Sequence, residues 1–110
     1  MSHPLYVAFV WHQHQPLYKS READSDAWGQ YRLPWVRLHG TKDYLDLVLM
    51  LERYPKLHQT VNLVPSLMLQ LEDYAEGEAI DPYLALALTP EAQLNIKDKQ
   101  YIIQHFFDGY

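Results

Sequence analysis

The sequence of 110 residues predicts an α/β fold with parallel strands. Residues 5–11 form an uninterrupted apolar run, which indicates a strand covered on both faces, and such strands belong to parallel sheets. Residues 59–64 (QTVNLV) are typical of a second strand, and a helical pattern lies between the two strands. The strands therefore form one βαβ unit, for which we expect a right-handed crossover.

The segment between the first strand and the first helix is predicted to be a long loop over residues 12–40. It carries a polar cluster followed by an aromatic patch, and loops of this length are uncommon unless they have a function. Thr41 is predicted to cap a helix that runs to about residue 53 and stops before Pro55. A loop and a helix thus connect the two strands.

Three more helices are predicted after the second strand. Pro65 and Ser66 open the first of them, and Gly77 is a plausible C-terminal cap. Asp81 and Thr89 each precede a proline, which is the pattern of an N-cap followed by a helix start. We therefore expect one helix to about residue 88 and another through residue 107.

Composition and charge narrow the possible classes of function. The net charge of −5 argues against nucleic acid or an anionic membrane as the main partner. The chain has no cysteine, which excludes disulfide scaffolds and thiolate zinc sites. The apolar N-terminal run is too short for a signal peptide or a membrane span, so we expect a cytoplasmic protein.

The predicted sheet is too small to be stable alone. Two buried parallel strands leave their outer edges and faces uncovered. We therefore interpret residues 1–110 as the first part of a larger α/β barrel or sheet, whose expected partner is the remaining C-terminal part.

The most informative motif is residues 11–16, Trp-His-Gln-His-Gln-Pro, at the end of the first strand. Because side chains alternate along a strand, His12 and His14 should point the same way. Local hydrogen bonding, metal binding and carbohydrate binding are three possible roles for this pair. Zinc would need further ligands that residues 17–110 do not clearly supply. Sugars need donors, acceptors and flat apolar surfaces, which histidine, glutamine and aromatic residues provide.

Three blocks of sequence resemble glycoside hydrolase family 57. The first is residues 14–18 (HQPLY), which is similar to the family's first signature motif. The second is residues 33–39 (LPWVRLH) with residues 41–44 (TKDY), and the third is residues 60–67 (TVNLVPSL) with Gln70 and Leu71. These two resemble the segments that follow in an amylase-like branch, so the resemblance covers most of the chain.

The resemblance implies a catalytic domain that is an incomplete (β/α)7 barrel, of which residues 1–110 would be the N-terminal βαβα portion. It also implies a retaining enzyme that acts on an α-glucan or oligosaccharide, as an amylase or a glucanotransferase does. The Glu nucleophile and the Asp acid/base would lie on later strands, roughly 5 Å apart. We therefore expect no catalytic residue within this chain, and no activity from it alone. Asp43, Asp46 and Asp73 are predicted to lie on solvated helix faces.

The expected substrate-binding residues follow from the motif and the resemblance together. The resemblance implies that His14 lines the sugar site. His12 should bind a hydroxyl or orient His14, and Gln15 should support the loop or reach a hydroxyl. The remaining candidates are Asn62, as a contact from the second strand, and Trp28 and Trp35, as stacking surfaces for sugar rings.

Two other functions remain open. One is a carbohydrate-binding fragment or regulator without catalytic activity. The other is a zinc-dependent hydrolase of the amidohydrolase or deacetylase type, which is disfavoured because Gln13 and Gln15 stand where a carboxylate is needed. For the leading hypothesis no cofactor and no metal ion are expected.

Overall fold

A computed structural model describes residues 3–21, 28–77 and 79–108 of the chain. The chain divides into two units, the first made of residues 1–17 and 36–72 and the second of residues 18–35 and 73–110. In chain order the elements are β1 (Val10–Gln13), β2 (Lys19–Arg21), β3 (Trp28–Tyr31), α1 (Trp35–Thr41), α2 (Asp43–Glu52), β4 (Thr60–Leu63), α3 (Pro65–Ala75), α4 (Pro82–Leu88), a 3-10 turn (Glu91–Gln93) and α5 (Ile96–His105).

The first unit contains the parallel pair that the sequence predicts. Strand β1 pairs with β4 in parallel register, and His12 lies opposite Asn62. The pair is extended at its end by a hydrogen bond from the Val64 amide to the Gln13 carbonyl at 3.3 Å. The mixed α/β class with parallel strands is therefore confirmed, whereas its extension into a barrel stays a prediction.

Strand β1 is shorter and more exposed than expected. It begins at Val10 rather than at Leu5, because a strand ladder needs a neighbour and β4 starts opposite Val10. The described residues do not cover its faces: Val10 is 63% exposed and Trp11 is 54% exposed. The prediction of a strand covered on both faces is wrong for the described part of the chain.

The predicted loop over residues 12–40 contains regular structure. Strands β2 and β3 form an antiparallel pair in the second unit. Helix α1, which belongs to the first unit except for its first residue, occupies the end of the segment. Strand β2 reads Lys-Ser-Arg and offers no apolar alternation, which is why the sequence pattern did not indicate a strand. Residues 22–27, between the two strands, lie outside the described residues.

Two of the four predicted helix starts are wrong, and two are confirmed, one of them at Pro65, where α3 begins. Thr41 is the last residue of α1, and its hydroxyl donates to the Leu38 carbonyl at 3.1 Å. Thr89 lies at the end of α4, and α5 is capped instead by Asn95, which forms a capping box with Asp98. Asp81 caps α4 as expected, since its carboxylate accepts a hydrogen bond from the Leu84 amide at 2.9 Å.

In the second unit, Asp73 is not on a solvated helix face, as the sequence suggested. Its side chain is only 17% exposed; it forms an ion pair with Lys19 and accepts a hydrogen bond from the Tyr31 hydroxyl at 2.7 Å. Burial alone would raise the pKa of the Asp73 carboxyl, but the hydrogen bonds from Lys19 and Tyr31 hold it below its usual value. Burial and the nearby carboxylate raise the pKa of the Tyr31 hydroxyl.

Acidification should therefore weaken the second unit through Asp73. A carboxyl whose pKa is lower in the folded state contributes stability above its unfolded-state pKa and loses it as pH falls through the folded-state value. The variant Asp73→Asn should be less stable than wild type at neutral pH and lose less further stability below about pH 4. Urea unfolding at a series of pH values measures this. Glu72→Gln, at an exposed site on the same helix, should keep the wild-type profile. An Asp73→Asn profile parallel to wild type would contradict the assignment.

Candidate functional site

The two histidines of the motif lie together at the end of β1. Their rings are stacked, with centroids 5.6 Å apart and an interplanar angle of 17°. The Nδ1 of His12 is 2.7 Å from the Oδ1 of Asn62, its register partner on β4. Because that amide oxygen only accepts hydrogen bonds, the Nδ1 of His12 is the donor. The structure thus brings three of the predicted site residues to the ends of two neighbouring strands.

The loop that follows β1 is tied to helix α3. The Ser66 hydroxyl donates to the Gln15 carbonyl at 2.8 Å. The side-chain amide of Gln70 donates to the Pro16 carbonyl at 2.8 Å and to the Ser66 carbonyl at 2.7 Å. Gln70 is completely buried, so its amide is a fixed part of the site's support.

Gln70 is a residue for which the sequence suggested no role. It follows Leu67 by three positions, and residues at this spacing lie on the same face of a helix. Leu67 is itself completely buried. A polar residue on a buried face needs hydrogen-bond partners, and this signal could have identified Gln70.

A cavity of about 510 Å³ opens beside the end of β1, within the first unit. This volume is within the range of ligand-binding pockets, roughly 300–1,000 Å³. One part of its wall comes from the end of β1 and the residues that follow, and the other from α1 and α2. The described lining residues are Trp11, His12, Gln13, His14, Gln15, His39, Asp43, Tyr44, Asp46, Leu47 and Met50.

The helical wall of the cavity was not predicted. The Nδ1 of His39 contacts the Oδ2 of Asp43, and Lys42 forms an ion pair with Asp46 at 2.7 Å. The hydrogen bond to Asp46 raises the pKa of the Lys42 amine above its usual value. The Nε2 of Gln15 donates to the Tyr44 hydroxyl at 3.2 Å, which links the two parts of the wall.

The two predicted stacking residues lie elsewhere in the chain. Trp35 is the first residue of α1, is half-buried and belongs to the second unit. The backbone of Trp28 belongs to β3, but its side chain lies outside the described residues. The described residues that line the cavity all belong to the first unit. The roles of both tryptophans stay predictions.

Two features of the described residues bear on other classes of function. No group of three or more His, Asp or Glu side chains within residues 3–21, 28–77 and 79–108 is arranged to hold a metal ion. In the same ranges, no helix has the length and apolar character needed to cross a membrane.

Comparison with known families places the chain in the class of glycoside hydrolases. A family model described as glycosyl hydrolase family 57 matches residues 8–107, which is most of the chain. The chain therefore belongs to glycoside hydrolase family 57, and the resemblance seen in its sequence motifs is confirmed. No curated protein and no solved structure gives a significant match.

Proposed function

We propose that this chain supplies the first sugar-binding motif of a retaining, α-glucan-active glycoside hydrolase of the amylase or glucanotransferase type. The observation that carries the proposal is the cavity beside the end of β1, whose wall contains His12, His14 and Gln15. In α/β folds, ligands bind at the carboxyl ends of parallel strands. Membership of family 57 supports a glycoside as the ligand.

The chemistry of the cavity suits a neutral sugar. The imidazoles of His12 and His14 provide donors and acceptors for hydroxyl groups. The hydrogen bond to Asn62 orients the His12 ring. Trp11 and Met50 add apolar surface to the same wall, against which the C–H face of a pyranose ring can pack. We assign hydroxyl contacts to His14 and His12, with Gln15 and Asn62 in support.

The catalytic carboxylates are proposed to lie outside residues 1–110, on further strands of the barrel. Asp43 and Asp46 line the cavity, but both lie on helix α2 and are engaged by His39 and Lys42. A retaining mechanism needs two carboxyl groups roughly 5 Å apart on either side of the scissile bond. The apolar side chains of β1 are exposed. Because parallel strands are rarely left open to water, this exposure supports the presence of further strands of a barrel that cover them.

Titration with oligosaccharides tests the proposal. Maltotriose should bind saturably, and it should quench the fluorescence of Trp11, which lines the cavity. Cellotriose has the same sugar units in β linkage and should bind at least about tenfold more weakly, a difference of about 1.4 kcal/mol. The variant Trp11→Phe should lose the fluorescence signal while calorimetry still detects binding. An absence of saturable maltotriose binding, or equal affinity for both sugars, would refute an α-glucan site.

A further inference from the structure

The helical wall of the cavity carries a carboxylate in a defined position. The chain leaves the helical path at Lys42, between α1 and α2, and Asp43 is the first residue of α2. A carboxylate is favoured there by the partial positive charge of the helix N-terminus. His39, four residues earlier, contacts its Oδ2. The carboxylate of Asp43 thus interacts both with the N-terminus of α2 and with His39, while its side chain stays 54% exposed.

The second carboxylate oxygen of Asp43 can accept a ligand. Within the described part of the chain, Oδ1 of Asp43 makes no hydrogen bond. An ionised carboxylate accepts stronger hydrogen bonds from hydroxyl groups than a neutral acceptor does. The imidazoles of His12 and His14 belong to the other part of the cavity wall, at the end of β1. A ligand with several hydroxyl groups can thus contact the strand end and the helix together.

The charges of the wall disfavour an anionic ligand. Asp43 and Asp46 both line the cavity, and among its described lining residues there is no lysine or arginine. Lys42 lies next to the wall and is paired with Asp46, and within the described residues Asp43 forms an ion-pair contact with His39 but none with a lysine or an arginine. A uronate or phosphate group placed beside Asp43 would be repelled by it.

We propose that Asp43, oriented by His39, binds a sugar hydroxyl and determines specificity by making the cavity select neutral over anionic saccharides. This assignment rests on the proposed sugar site and gives a role to two residues that the sequence analysis did not place among the site residues. His39 acts as a positioning residue, because its contact is with Asp43.

Calorimetric titration at about pH 8, above the usual titration range of histidine, tests the assignment. The two ligands are maltotriose and maltotriose whose terminal unit is oxidised to a glucuronate. Wild type should bind the neutral ligand at least tenfold more tightly. Asp43→Asn should weaken maltotriose binding about tenfold and reduce the preference for the neutral ligand at least threefold. Glu52→Gln removes a charge from an exposed position of the same helix outside the cavity wall, and should leave both affinities at wild-type values.

Two substitutions of His39 distinguish a role in positioning Asp43 from a role in folding. His39→Asn keeps a donor near the position of Nδ1 and should retain maltotriose affinity within about threefold, whereas His39→Leu should lose about as much as Asp43→Asn. If wild type binds maltotriose but Asp43→Asn matches Glu52→Gln, the role of Asp43 is refuted and the sugar site stands. If wild type binds no maltotriose, the proposed function and this inference both fail. Equal losses in His39→Asn and His39→Leu would refute the positioning role.

Discussion

Replacing His14 by Ala is expected to weaken maltotriose binding by about 10- to 100-fold. The imidazole lines the cavity beside the end of β1 and stacks against His12. His14 is exposed in the free chain, but a bound sugar would cover it. A sugar hydroxyl that is buried there without its partner costs roughly 1–3 kcal/mol, and 1.4 kcal/mol corresponds to a factor of ten in affinity. Calorimetric titration of the purified variant measures the change.

The matched control for His14 is His58. It is an exposed histidine of the same unit, and it is not among the described residues that line the cavity. His58→Ala should keep the wild-type affinity. If the dissociation constants of His14→Ala and His58→Ala agree within twofold, His14 does not contact the sugar.

Replacing Gln70 by Leu should lower both stability and sugar affinity. The buried amide of Gln70 holds the carbonyls of Pro16 and Ser66. Leu is similar in size but cannot donate, so the Pro16 carbonyl loses its donor, at a cost of about 1–3 kcal/mol in the free energy of unfolding. The loop that contains His14 and Gln15 would also lose an anchor, so maltotriose should bind less tightly.

Urea unfolding and titration together test the role of Gln70. Gln104→Leu makes the same chemical change at an exposed position of helix α5 and should leave both properties near wild type. A Gln70→Leu variant as stable as Gln104→Leu would show that the amide does not hold the loop. Reduced stability with unchanged affinity would limit Gln70 to a structural role.

The strand part of the site follows from sequence rules. Alternation along β1 placed His12 and His14 on one side, and the βαβ pattern made β4 its parallel neighbour with Asn62 near the strand end. Both placements depend only on the period of a strand and the order of the elements, because neighbouring positions in a sheet are set by local geometry.

The helical part of the site includes an interruption between helices α1 and α2, which no local sequence signal indicated. Thr41 resembles an N-cap, but α1 already includes it, and α2 starts two residues later. His39 and Asp43 lie four residues apart on either side of that interruption and remain in contact. The ion pair of Asp73 with Lys19 joins residues far apart in the chain, and one sequence carries no signal for such a pairing.

The central claim is that a neutral α-glucan binds at the carboxyl end of β1. Its most direct test is to record the imidazole resonances of the histidines by NMR, each assigned by substitution, during a titration with maltotriose. The resonances of His12 and His14 should move in a saturable way, and those of His58 and His105, which do not line the cavity, should stay in place. Saturable shifts confined to His58 or His105, or no shifts at His12 and His14, would contradict the claim.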